Sequence, residues 1–152
     1  MGGTAAGRPA HAAGRVDVRL LTLVAGRISR DIGTVLASEE LSVDQWSVLD
    51  YLDEAGACTM TALANATGIS GATLTRIVDR LVSRALVYRN ADSGDRRRVH
   101  VHLSERGRET TQVLRPRIHA AEGRATARLT TGERDELTRL LHRISPLADP
   151  DA

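Results

Sequence analysis

The stretch LANATGISGATLTRIVDRLVSRALVYRNADSGDRRRVHVHLSERG, residues 63–107, decides the fold because it carries two signals in succession. The first lies in its opening half, where Gly68, Leu74 and Ile77 follow Ala64 at offsets of four, ten and thirteen. A small residue lets two helices approach closely, and a glycine supplies the positive-φ turn between them. The later apolar pair locks the second helix onto the first. This spacing predicts a helix-turn-helix. The second helix is expected from about Gly71 to Arg84, burying Leu74, Ile77, Val78 and Leu81. Ala72, Thr73, Arg76, Arg80 and Ser83 share the opposite face. Small and hydroxylated side chains followed by arginines suit a helix seated in a major groove.

The second signal is a hairpin. ALVYRN (85–90) reads as a strand, ADSGDRR (91–97) is rich in turn formers, and VHVHL (99–103) alternates at period two. Val99, Val101 and Leu103 are expected to face inward, His100 and His102 outward. The tip then carries Arg96, Arg97 and Arg98, a cluster that repels itself unless an anion sits beside it. A basic hairpin directly after a recognition-like helix is a wing. Its tip suits a narrow minor groove, where the negative potential deepens and favours arginine. Asp95 is placed to hold the Arg97 guanidinium extended.

Working outward, Ser42 with Gln45 matches a capping box and opens a helix with Val43, Trp46, Leu49 and Leu52 at helical spacing, ended by Gly56. The next helix begins at Thr59 or Thr61 and runs to about Ala66. Before these, Val16, Leu20, Val24, Ile28, Ile32 and Val35 form one stripe along a long helix. Beyond the hairpin, Ser104 caps a helix expected to reach Leu129, bent or locally broken at Pro116. Thr130 with Glu133 opens a last helix, with Leu137, Leu140, Leu141 and Ile144 as its stripe and Pro146 at its close. The chain thus divides into an N-terminal arm (1–14) expected to be disordered, terminal helices (15–40 and 104–146), and a central lobe (41–103). A long helix with one apolar stripe needs something to cover it.

Composition narrows the function. The 152 residues carry a net charge of +2, with 41% hydrophobic and 26% charged residues, ordinary for one globular domain. The charge is unevenly placed: residues 76–98 hold seven arginines against Asp79, Asp92 and Asp95, a local +4. Such a block in a near-neutral chain suggests a patch facing phosphates. Every basic residue apart from histidine is arginine, the better bidentate ligand for phosphate and guanine. Cys58 is alone, which fits a reducing cytoplasm and leaves no cysteine-based metal cluster. The N-terminus has no apolar core of a signal peptide, and the uncharged run Ala55–Thr75 is too rich in Thr, Gly and Asn to span a membrane. No nucleophile elbow, Gly-rich phosphate loop or HExxH motif is present, so the expectation is a protein that is not an enzyme. The five histidines have no neighbouring set of ligand spacing, so neither a metal nor another cofactor is expected.

The residues then resemble a known family. Asp95-Arg96-Arg97, followed by Val99-x-Val101-x-Leu103-Ser104-x-x-Gly107, looks like the wing signature of the multiple-antibiotic-resistance regulator (MarR) family, D-x-R and then V-x-L-T-x-x-G. Upstream, residues 63–89 are similar to the family's L-A-x-x-x-G-[IV]-S-x-x-T-[VL]-T-R-x-[VI]-D-x-L-x-x-x-G-L-[VI]-x-R. The match is specific over about 60–107 and extends in element order over about 16–145. Ser104 stands where threonine is usual, and Ala85 where glycine is usual. If that site needs positive φ, the turn is strained. Gly71 puts a flexible residue at the start of the recognition helix.

The resemblance implies a mainly α fold with a small β-hairpin wing: a winged helix-turn-helix with long terminal dimerisation helices. It implies a homodimeric repressor that binds double-stranded DNA at a pseudo-palindromic operator. Ser70, Ala72, Thr73, Thr75 and Arg76 become groove contacts, joined by Gly71 and Arg80 on the same helix. Arg97 becomes the minor-groove finger oriented by Asp95, and Arg96 and Arg98 become phosphate contacts. Relatives often hold a small aromatic or anionic effector near the dimerising helices. Trp46, Tyr51 and Arg19 are candidates to line such a pocket, and an apolar pocket of Leu, Val and Ile is the alternative. The competing reading is a winged helix used for non-specific DNA packing or protein interaction.

Overall fold

A computed structural model describes residues 15–91 and 99–145. The N-terminal arm, the hairpin tip with Asp95, Arg96, Arg97 and Arg98, and Pro146 lie outside the described residues. Among the described residues, six α-helices and three short strands follow in the order α1 (Val18–Leu36), α2 (Val43–Ala55), β1 (Cys58–Thr59), α3 (Met60–Thr67), α4 (Gly71–Ser83), β2 (Val87–Ala91), β3 (Val99–Leu103), α5 (Glu105–Ala125) and α6 (Thr131–Ile144), with a short 3-10 turn (Ala37–Glu39) after α1. The caps read from the sequence are in place. Ser42 and Gln45 close a reciprocal capping box on α2, as do Thr130 and Glu133 on α6, and the Ser104 hydroxyl accepts from Gly107 N.

The strands form one antiparallel sheet in the order β1-β3-β2. β1 escaped the sequence reading because two residues show no alternation; Cys58 pairs with Val101 and Thr59 with His100. Val101 and Leu103 face the core as expected, but Val99 is 41% exposed. It sits at the outer end of the hairpin, beyond the reach of the helices that cover its two neighbours in alternation. α5 runs unbroken through Pro116. Leu114 and Ile118 are buried on either side of the proline, so packing holds both flanking turns and the lost backbone donor does not part them. The helix ends at Ala125, four residues earlier than the apolar pattern suggests, and a turn leads to Thr130.

One core joins all layers. Ile32 and Leu36 of α1, Trp46, Val48, Leu49 and Leu52 of α2, Leu63 of α3, Leu74, Val78 and Leu81 of α4, Val101 and Leu103 of β3, and Leu114 and Ile118 of α5 belong to a single buried cluster. Each such side chain contributes about 2 kcal/mol of burial. The core fixes α4 against the sheet, and so fixes what α4 presents to solvent.

The turn after α4 is a Schellman motif. Leu86 N donates to Leu81 O at 3.0 Å and Ala85 N to Val82 O at 2.9 Å. The motif needs a left-handed residue at Ala85, whose φ is +55°. A residue with a Cβ is held there at a cost of about 1 kcal/mol. Arg84, just before it, donates to the carbonyls of Glu40 (3.0 Å) and Glu39 (2.6 Å), tying the end of α4 to the turn after α1. Gly107 lets α5 start against this turn. A Cβ there would lie 2.1 Å from Leu86 O and 2.7 Å from Leu103 Cδ1.

Candidate nucleic-acid interface

α3, the turn at Gly68 (φ +68°) and α4 make the helix-turn-helix. Gly68 N donates to Ala64 O at 2.9 Å, so the glycine and the small residue meet as their spacing predicts. α4 divides cleanly by face. Leu74, Val78 and Leu81 are buried, while Ser70, Gly71, Ala72, Thr73, Thr75, Arg76 and Arg80 are all exposed. Ser70 Oγ donates to Thr73 Oγ1 at 3.1 Å, and Thr75 Oγ1 donates to Gly71 O at 2.9 Å. Gly71 has open space around a notional Cβ, so its lack of a side chain is not required by packing. An open groove of about 470 Å³ runs along this face, between Thr73, Arg76, Ile77 and Arg80 on one side and Glu40, Leu41, Ser42 and Gln45 on the other.

The arginine block resolves into two kinds. Arg84 is spent on backbone carbonyls, and Arg89 pairs with Asp79 at 2.7 Å, bracing β2 against α4. Arg76 and Arg80 make no ion pair with any described residue and project outward. Charge counting along the chain could not make this division, because the partners of Arg84 lie more than forty residues away. The remaining three arginines, at 96–98, fall outside the described residues.

A further ionic cluster went unread in the sequence. Arg115 of α5 reaches Asp50 at 2.8 Å and Asp53 at 3.0 Å, with Glu54 at 3.7 Å, all on α2. Burial pushes the Asp50 carboxyl above its ordinary range, while Arg115 pulls it down. Spacing on α2 puts the three acids on one face, but nothing local names Arg115 as their partner.

The suggested effector residues sit in different settings. Trp46 is core, 6% exposed; Tyr51 packs against the core half-buried; Arg19 is exposed on α1. An almost wholly apolar cleft of about 460 Å³ lies elsewhere, between Val16, Leu20, Val24 and Ile28 of the α1 region and Leu129 and Leu137. Burial pushes the Cys58 thiol up, away from the reactive thiolate. Among the described residues, no three His, Cys, Asp or Glu side chains gather as metal ligands, and no helix is long and apolar enough to cross a membrane.

A helix-turn-helix whose second helix presents an uncommitted polar and basic face, followed by a hairpin in a three-stranded sheet, defines a winged-helix protein of the kind that docks on duplex DNA. The model of the MarR family matches residues 40–98. The chain is 32% identical over 124 residues to an HTH-type transcriptional regulator of Mycobacterium bovis, Mb0904, covering 80% of this chain and 87% of that protein. A variant of Escherichia coli MarR complexed with operator DNA superposes with a TM-score of 0.76 at 27% identity, over 84% of this chain and 92% of that one. Bordetella bronchiseptica BpsR, whose DNA binding is regulated by 6-hydroxynicotinic acid, gives 0.76 at 28% identity, over 84% and 96%. The chain spans 65% and 66% of the length of two other curated relatives that it matches. The chain belongs to the MarR family.

Proposed function

We propose that this chain is a cytoplasmic, homodimeric repressor that binds a pseudo-palindromic operator in double-stranded DNA and is released by a small aromatic or anionic effector. The observation that carries it is the outer face of α4, where Ser70, Gly71, Ala72, Thr73, Thr75, Arg76 and Arg80 stand exposed on a helix whose other face is locked in the core. In this reading Arg76 and Arg80 contact bases or phosphates in the major groove. Arg97 enters the adjacent minor groove with Asp95 orienting it, and Arg96 and Arg98 hold flanking phosphates. The dimer follows from the apolar side chains left open on the terminal helices. Leu20, Leu23 and Val24 of α1 are 53%, 60% and 47% exposed. Two-fold symmetry then sets half-sites about one helical turn apart. An effector acts if it favours a spacing of the two recognition helices that does not match those half-sites. The role is regulatory and carries no catalysis.

The test is fluorescence anisotropy with a labelled duplex from upstream of the chain's own gene, competed by random duplex of equal length at about 150 mM salt. A specific regulator prefers its site by about 10³-fold or more. Equal and steeply salt-dependent binding to both duplexes would instead mean non-specific packing, and no binding to either would mean protein interaction.

A further inference from the structure

The wing carries a second feature on the side away from the core. Tyr88 pairs with His102 and Asn90 with His100 across β2 and β3, and Thr59 of β1 flanks His100 on the other side. These side chains share one face of the sheet, and Val87, Val101 and Leu103 are buried on the other. The Tyr88 and His102 rings stack with centroids 4.9 Å apart and planes 9° from parallel; His100 stands edge-on to His102 at 6.4 Å. Tyr88 remains 47% exposed, so the stack lies at the surface. His100 and His102 are half-buried; a face-stacked imidazole keeps both ring nitrogens at its edge, and protonation strengthens its attraction to the tyrosine face.

We propose that this outer wing face is a second DNA-backbone contact, in which His100 and His102 bind phosphates as imidazolium cations and Tyr88 holds His102 in place. The proposal rests on the DNA-binding reading above and makes operator affinity proton-linked. Histidine is the side chain whose charge ordinarily changes between pH 5 and 8. No acid lies on β2 or β3, whose sequences are VYRNA and VHVHL. Among the described residues, the elements packed against them offer no counter-charge to this face; Asp92 and Asp95, between the two strands in sequence, lie outside those residues. α3 has no charged residue. On α2, Asp50, Asp53 and Glu54 are held by Arg115, and Asp44 lies in the first turn. On α4, Asp79 is paired with Arg89, and Arg76 and Arg80 are basic. At the far end of β3, Arg108 donates to Leu103 O and pairs with Glu105. Two neighbouring imidazolium ions repel each other, so a phosphate that neutralises them favours proton uptake, and proton uptake favours the phosphate in return. In the sequence His100 and His102 follow the Arg96–Arg98 run by two and four residues. If that run enters a minor groove, as the DNA-binding reading has it, the strand that follows leads toward the phosphates that border the groove.

The experiment titrates full-length protein into labelled upstream and random duplexes at pH 5.8 and 7.8, at matched ionic strength and over a range of salt. Wild-type protein is expected to bind on the order of tenfold more tightly at pH 5.8, with a steeper salt dependence. The double variant His100→Gln/His102→Gln is expected to lose most of the gain at pH 5.8. Tyr88→Leu is expected to reduce the gain. The same gain in the double variant, or no gain in wild type, would overturn the proposal while leaving the DNA-binding reading intact. Absence of wild-type binding to either duplex at both pH values would remove that reading and this inference with it.

Discussion

α4 and α6 are amphipathic helices of nearly equal length, 13 and 14 residues, and they meet opposite fates. α4 buries Leu74, Val78 and Leu81 completely. α6 buries nothing: Leu137, Leu140, Leu141 and Ile144 are 38%, 43%, 44% and 64% exposed. The same division runs along α1, whose stripe is covered at Ile32 and Leu36 but open at Leu20 and Val24. An apolar stripe signals that a helix must be covered; it does not say whether the cover comes from the same chain. For α4 the sheet, α2 and α3 supply it. For α6 and the first half of α1 the open apolar cleft points to a second copy. The lobe that would read DNA thus folds on contacts within one chain, as do α5 and the second half of α1, whereas α6 and the first half of α1 keep their apolar stripes open.

The largest effect that tests this contrast is expected from Leu137→Glu/Leu141→Glu. Two charges in an apolar interface should weaken assembly by more than about 10³-fold, or about 4 kcal/mol. Light scattering should then report a monomer whose circular dichroism still shows a folded lobe. A dimer that survives would place the interface elsewhere. Next comes Gly107→Ala, where the new Cβ has no room beside Leu86 O. It should cost about 3 kcal/mol in urea denaturation, because α5 must move off the turn that terminates α4.

Arg115→Ala acts on the join between the two regions. It leaves Asp50, Asp53 and Glu54 facing one another without their cation, and should cost about 1–2 kcal/mol at pH 7, allowing for their partial exposure. The pH dependence has a definite sign. The Asp50 carboxyl is already raised by burial, and losing Arg115 raises it further. The folded state then binds more protons than the unfolded one above pH 3.8. Stability therefore falls as pH rises through that range and recovers as pH is lowered. The deficit measured at pH 7 should shrink near pH 5. The smallest effect is a gain. Ala85→Gly relieves the left-handed strain at +55° and should add about 1 kcal/mol, raising Tm by about 3 °C.

The chain order of the helices and the hairpin, the caps at Ser42, Ser104 and Thr130, the turn at Gly68 and the exposed face of α4 were all legible in the sequence. Each rests on contacts within a few residues: a hydroxyl and an amide three apart, a stripe at helical spacing, a glycine where φ turns positive. The departure at Ala85 was legible too, since a missing glycine marks a turn that would favour one. Legibility failed where the deciding contact was distant. Val99 alternates correctly but lies beyond the helices that cover Val101. Pro116 reads as a break until the burial of Leu114 and Ile118 holds the helix through it.

Local spacing, then, determined which segments are helices and strands, and which face of each is apolar, because those properties depend on backbone geometry and near neighbours. Tertiary structure alone decided which charges are free. Arg84, Arg89 and Arg115 are drawn from solvent by Glu39, Glu40, Asp79 and the acids of α2, ten to sixty-five residues away. Arg76 and Arg80 are left exposed, and no described acid closes an ion pair with them, although Glu40 stands across the groove.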